Sequence, residues 1–165
     1  PVVEALHTDG QARDAGLPLT LHAGEADVAE RVLEAVQLGA RRIGHGVHLA
    51  DAVRDPARAH LVEAVRASGA HLEVCPTSNV HTGATRSVGA HPITALWQAG
   101  VSLSYHTDNR LMSCITHASE AQALLDQTPL NSVDLLAMAR EAARHSFLPE
   151  ADRVAAVKAI DAFAA

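Results

Sequence analysis

No stretch of this chain approaches the roughly 20 consecutive apolar residues that a membrane-spanning helix needs, and no cluster of lysine or arginine runs through it. With a formal net charge of −6, neither a membrane nor a nucleic-acid backbone is an expected partner. The first residues do not read as a signal peptide. Cysteine is scarce: Cys75 and Cys114 show neither a disulfide framework nor zinc-binding spacing. Cys75 lies inside a strand pattern and reads as a small buried apolar residue, so a reducing cytoplasm is the expected compartment. Glycine-rich phosphate loops of the GxGxxG or GxxxxGKS/T type are missing as well, which argues against a nucleotide-binding doubly wound sheet. An initiating Met is missing too. The chain opens at Pro1, partway into a helical pattern of Val2, Val3, Ala5 and Leu6, and reads as lacking its true beginning.

What is there suffices for one ordinary domain. The 165 residues are 48% hydrophobic and 19% charged, enough to bury a sizeable core and too apolar for disorder. Eleven of them are histidine, and several fall where apolar strand patterns end. Four short strands are predicted over 17–22, 41–45, 71–75 and 101–106, each followed by polar or metal-competent residues. Helices are expected at the end of 1–16, over 26–38 and 56–68, near 114–127, and over roughly 132–146 and 150–164. A short helix starts at His91-Pro92 and carries Trp97 as a packing residue before Gly100 stops it. The segment from Pro76 to Gly89 reads as a long loop. Strand ends at His22, His45, Cys75 and Asp108 are spaced as crossover units of a parallel sheet. Four such units are about half of a (β/α)8 barrel. The fold expected is therefore α/β, with residues 1–165 forming the C-terminal half of such a barrel, strands five to eight and their helices.

In that architecture the chemistry sits at the C-terminal ends of the strands. His22, Glu25, His45 and Asp108 all lie there. Each has a plain structural reading: a packed histidine, a carboxylate at a helix start, an N-cap aspartate. Gathered at the ends of three strands, imidazole and carboxylate groups are the ligands Zn²⁺ takes, and such a metal brings water to reactivity near neutral pH. Glu25 is placed to move the protons of that chemistry.

The ordered stretches LTLHAGE, RIGHGVHL, LEVCPTSN and SYHTDN resemble the C-terminal half of the adenosine deaminase family of metal-dependent amidohydrolases. The resemblance spans nearly the whole chain, with motifs between residues 18 and 113. It implies hydrolysis of the 6-amino group of adenosine, and of deoxyadenosine, to give the inosine product and ammonia, with one Zn²⁺ in each complete site and a purine nucleoside as the small-molecule partner. By the same resemblance His22 and Asp108 are metal ligands. Glu25 protonates purine N1, and His45 orients or deprotonates the attacking water. Ser78 and Asn79 brace the site or form a turn. His106 is a packed histidine or points into the pocket, and His48, His71, His81, His91, His117 and His145 are structural or surface residues.

Two features depart from the family pattern. Where the family carries a second aspartate that meets purine N7, this chain has Asn109, whose amide donates to an acceptor at any pH. The family's His-x-His pair on strand one is absent, so this chain needs the missing N-terminal half and the isolated fragment is expected to be inactive. Competing expectations are a deaminase of another 6-aminopurine, such as adenine or a modified nucleoside, a non-catalytic purine-binding barrel, and an inert truncated product.

Overall fold

The computed structural model describes residues 11, 12 and 14–164; most of the helical end expected over 1–16 lies outside them. Four strands form one parallel sheet in sequence order: β1 (Leu19–Ala23), β2 (Ala40–His45), β3 (His71–Val74) and β4 (Leu103–Tyr105). Helical crossovers join them, as parallel pairing requires. These are α1 (Glu30–Gln37), then α2 (Leu49–Arg54) and α3 (Ala59–Ser68), then α4 (Pro76–His81) and α5 (Ile93–Gln98). After β4 come α6 (Arg110–Ser113), α7 (His117–Gln127), α8 (Ser132–His145) and α9 (Glu150–Ala164). Among the described residues no strand pairs with the outer edges of β1 and β4.

Register decides which side chains share a face. Leu21 pairs with Ile43, Ile43 with Leu72 and Leu72 with Leu103, and alternation puts these on one side of the sheet. That side is the core. Ile43, Leu72, Val74 and Leu103 cluster with Val32, Leu49, Val65, Ile93, Leu96, Leu124 and Met138 from the surrounding helices, each large side chain contributing about 1.5–3 kcal/mol of burial. The other face carries His22 beside Gly44, Glu73 beside Ser104, and Arg42 beside His71. It is polar throughout. Arg42 donates from Nε to Glu73 Oε1 at 2.9 Å and lies 4.6 Å over the Phe147 ring.

The local chemistry of the ends explains several boundaries. Gly69, at φ 70°, closes α3 in the left-handed region that glycine enters without strain. Thr116 with Ser119 and Asn131 with Asp134 form capping boxes that start α7 and α8. Some expectations are corrected. The helix read over 26–38 begins only at Glu30. A helix that the sequence pattern does not predict, α2, lies before Asp55; its six residues are too few to display a helical period. The long loop from Pro76 holds α4, begun by Pro at its first turn; its Thr77 amide donates to the buried Glu120 carboxylate of α7 at 2.8 Å. The helix read near 114–127 begins at His117, because Cys114 turns left-handed at φ 53° to end the separate α6 and Thr116 caps the new start. Trp97 packs against the core as read, and its indole N–H donates to Asp134 at 3.1 Å.

Candidate active site

Three strand ends converge. His22 is the penultimate residue of β1, His45 the last of β2, and Asp108 stands in the loop after β4. His22 lies directly over Gly44: a Cβ there would stand 2.5 Å from His22 Cδ2 and 3.0 Å from Nε2. The sequence must therefore place glycine on β2 for the imidazole to occupy this position. The His22 and His45 rings meet edge to face with centroids 4.9 Å apart. Both histidines and Asp108 line one cavity of about 280 Å³, together with Gly44, Glu73, Cys75, His106 and Thr107. Two larger cavities, about 490 and 500 Å³, lie mostly along α8 and α9 and hold none of these groups.

His45 (φ 69°) and Asp108 (φ 54°) share a backbone property. Together with Cys114 they are the non-glycine residues in the left-handed region among the described residues. That conformation costs an L-residue about 1–2 kcal/mol, and it persists where surrounding contacts over-determine it. For Asp108 one such contact is Ser78, whose hydroxyl donates to Oδ2 at 2.7 Å. For His45 it is Asn79, whose Nδ2 lies 3.1 Å from Nδ1.

Glu25 lies beside His45 and is not among the residues that line this cavity. Its Oε1 accepts from Asn79 Nδ2 and from Thr82 Oγ1, each at 3.0 Å, and its Oε2 is 3.4 Å from His45 Nε2. Asn79 in turn has its Oδ1 3.2 Å from His91 Nε2. Ser78 and Asn79 thus each hold a candidate group, and both belong to α4, the segment read as loop.

Burial shapes the electrostatics. It pushes His45 below the ordinary histidine range, helped by His22 and opposed by Glu25 and Asp108. Burial lowers His91 to about 4 and also depresses His106, whose Nε2 is 2.6 Å from Ser104 Oγ while the residue lines the cavity. Cys75 is raised to about 12, chiefly by burial, with Asp108 adding to it. It is a neutral thiol on the cavity wall, not a nucleophile.

Asn109 is placed differently. It does not line the cavity but caps α6, its Oδ1 accepting from Leu111 N at 3.2 Å and Met112 N at 3.1 Å. With Oδ1 so engaged, the NH₂ end is the one left to meet a ligand. Glu73 and Thr82 were not singled out in the sequence: Glu73 could have been found two residues before Cys75 on the same strand face, whereas Thr82 carries no local signal.

The donor set fits a divalent metal in part. Among the described residues no group of three or more His, Cys, Asp or Glu is arranged to hold one. His22 and Asp108 supply an imidazole and a carboxylate on one cavity, two of the three or more protein ligands a catalytic zinc takes.

A family model described as Adenosine deaminase matches residues 4–163. The chain belongs to the adenosine deaminase family. An adenosine deaminase of Shewanella loihica is 37% identical over 146 residues, covering 88% of this chain and 42% of that protein. The family member described here thus spans less than half the length of the curated relatives it matches. Among solved structures, an adenine deaminase from Arthrobacter aurescens superposes with a TM-score of 0.87 at 23% identity, covering 96% of this chain and 47% of that one. An amidohydrolase from Burkholderia ambifaria, solved with bound Zn, gives 0.79 at 21% identity over 96% of this chain and 44% of that one. These superpositions establish a shared α/β fold with a parallel sheet. No helix among the described residues is long and apolar enough to cross a membrane.

Proposed function

We propose that this chain is the C-terminal half of a (β/α)8 deaminase barrel, strands five to eight, and that the complete protein hydrolyses adenosine and deoxyadenosine to the inosine product and ammonia. The observation that carries the reading is the convergence of His22, His45 and Asp108 on one cavity, two of them held in strained backbone conformations. The outer edges of β1 and β4, unpaired among the described residues, and the polar sheet face support the half-barrel reading, since closure would pair the edges and turn that face inward. The remaining strands and metal ligands then come from the other half, and the expected compartment is the cytoplasm.

His22 and Asp108 would hold the metal, and Ser78 donates to Asp108 Oδ2. What a zinc ion supplies there is water made reactive near neutral pH. Oxygen from water adds to purine C6. Glu25 delivers a proton to N1, which relieves the ring of negative charge as C6 becomes tetrahedral. The amino group leaves as ammonia with the proton that the C6 hydroxyl gives up, and the C6 oxygen remains as the product carbonyl. His45 holds the attacking oxygen. Asn109 presents its NH₂ to N7, an acceptor in every 6-aminopurine, so it does not discriminate adenosine from adenine; the adenine deaminase superposition makes free adenine the second reading.

The test is turnover of the complete protein on adenosine, deoxyadenosine, adenine and AMP, followed by ammonia release. Adenosine should lead by at least about tenfold in kcat/KM. Failure to turn over any nucleoside defeats the leading reading, and adenine alone as substrate establishes the second. Glu25→Gln should abolish turnover with the metal retained, and His22→Ala should lose the metal itself.

A further inference from the structure

We propose that Asn79, held by His91, is a positioning residue that fixes which ring nitrogen of His45 carries the proton, so that His45 offers an N–H rather than a basic nitrogen at Nε2. The hydrogen-bond direction stands on geometry alone; its catalytic consequence rests on the deaminase reading above.

The chain of deduction starts at a backbone amide. Ile93 N–H donates to His91 Nδ1 at 3.1 Å, and a backbone amide can only donate. His91 Nδ1 is therefore unprotonated, and the single proton of the neutral ring sits on Nε2. That nitrogen is 3.2 Å from Asn79 Oδ1, so His91 donates to the carbonyl end of the amide. The NH₂ end must then face the other way, where Glu25 Oε1 lies at 3.0 Å and His45 Nδ1 at 3.1 Å. Glu25 requires the same orientation independently, because a carboxylate accepts and the amide nitrogen only donates. His45 Nδ1 is consequently an acceptor and its proton sits on Nε2. Water has little room to substitute for any of these bonds: His91, Asn79 and His45 are 4%, 0% and 2% exposed.

The consequence is a division of labour between two neighbours. A ring with its proton on Nε2 can hold an oxygen by donating to it but has no basic nitrogen to offer the cavity. Glu25 has one oxygen taken by Asn79 and Thr82 and the other, Oε2, open toward His45 at 3.4 Å. Proton transfer then belongs to Glu25, and His45 orients. His91 and Asn79 touch no reacting atom; they act through His45 and Glu25.

The test is side-chain ¹⁵N NMR of the complete, zinc-loaded protein labelled at histidine, near neutral pH. Signals are assigned by their loss in His45→Asn and His91→Gln. Wild-type His45 and His91 should both carry the proton on Nε2. Asn79→Asp replaces the donating amide end by an accepting oxygen at the same place. It should move the His45 proton to Nδ1 and lower kcat by up to about 10⁴-fold, the scale of a wrong histidine tautomer, with KM within about threefold. His91→Gln keeps both a donor and an acceptor and should preserve the His45 tautomer, whereas His91→Phe should allow both tautomers. A wild-type His45 protonated on Nδ1 overturns the inference, as does Asn79→Asp leaving it on Nε2. If Asn79→Asp does not fold, the wild-type spectrum and the two His91 variants decide. A protein that turns over no 6-aminopurine while giving the expected spectrum removes the deaminase reading alone.

Discussion

Replacing Gly44 by alanine isolates the one contact that seats His22. The added methyl would stand 2.5 Å from His22 Cδ2, and an unstrained carbon–carbon contact is about 3.5–4.0 Å. The ring must therefore retreat by about 1 Å or more. It can do so, because His22 lines a cavity rather than packing in the core, so the cost appears as displacement rather than as unfolding. Gly44 is not in the left-handed region, and a glycine-to-alanine change at a compatible site gains about 0.4–1 kcal/mol by restricting the unfolded chain. Net stability should thus stay within about 1 kcal/mol of wild type. A ligand shifted by about 1 Å is costly in a site whose work is positioning, on the order of 10²-fold in rate, and zinc affinity should fall comparably.

The assay pairs urea unfolding with zinc titration and kcat/KM of the complete protein. Gly46→Ala is the matched control. Gly46 has φ +67° and its added methyl would drive into the buried Leu72 side chain, so left-handed strain of about 1–2 kcal/mol adds to overpacking of about 1–3 kcal/mol. One glycine of the Gly-His-Gly motif should cost function with the fold intact, and the other should cost the fold. Zinc affinity and turnover of Gly44→Ala within about twofold of wild type would refute the reasoning, as would equal destabilisation by the two variants.

Two further outcomes are expected. Burial lowers His71 to about 3 and His91 to about 4, below the ordinary value near 6.5, so the unfolded chain binds more protons across that window. Stability is fully present above about pH 6.5 and is lost as pH falls toward 4 and then 3, by about 3 kcal/mol for His91 and about 5 kcal/mol for His71. Urea midpoints measured between pH 7 and pH 4 should fall accordingly, and an undiminished slope in His91→Gln would remove that residue from the account. Glu120→Ala leaves the Thr77 amide without its buried acceptor, a loss of about 1–3 kcal/mol. Because Ser78 and Asn79 follow directly, zinc affinity should also weaken; calorimetric titration giving wild-type affinity in a destabilised variant would show that α4 keeps its position without this anchor.

The strand ends were readable because their signals are local. Alternating apolar residues running into His22 and Glu25, or into His45, state both the strand and its polar terminus within seven residues. Asp108 was readable for the same reason, at the end of VSLSYHTDN. What holds these groups was not. Glu25 takes its partners from Asn79 and Thr82, 54 and 57 positions away, and α4, which carries Asn79, has the composition of a loop. Its helical state is favoured by Pro76 at the first turn and by Glu120 reaching across from α7, a contact with no trace in the local sequence. His91 reads alone as the start of a short helix, and only the folded chain sets it against the Asn79 amide. Asn109 shows the reverse. Its donor chemistry is plain from its side chain, while its position at the α6 cap, off the cavity wall, is a property of the turn.

Two of the proposed site residues are therefore held in place before any ligand arrives. His45 sits at φ 69° between Gly44 and Gly46, where Gly46 N–H donates to Ala23 O and His48 N–H to Gly24 O, each at 2.9 Å. Those two bonds tie the turn after β2 to the turn after β1, so the backbone that carries His45 is registered against the backbone that carries His22 and Glu25. On the other side Ser78 ties Asp108 to α4, and Asn79 of the same helix ties Glu25 and His45. A single short helix thus couples the candidate metal carboxylate to the candidate proton-handling pair. Left-handed strain at His45 and Asp108 is met by these bonds, worth about 0.5–1.5 kcal/mol each and more where a carboxylate accepts, which is enough to hold both conformations without a metal. These candidate groups are preorganised, so under the proposed function metal binding would call for further ligands rather than rearrangement of these.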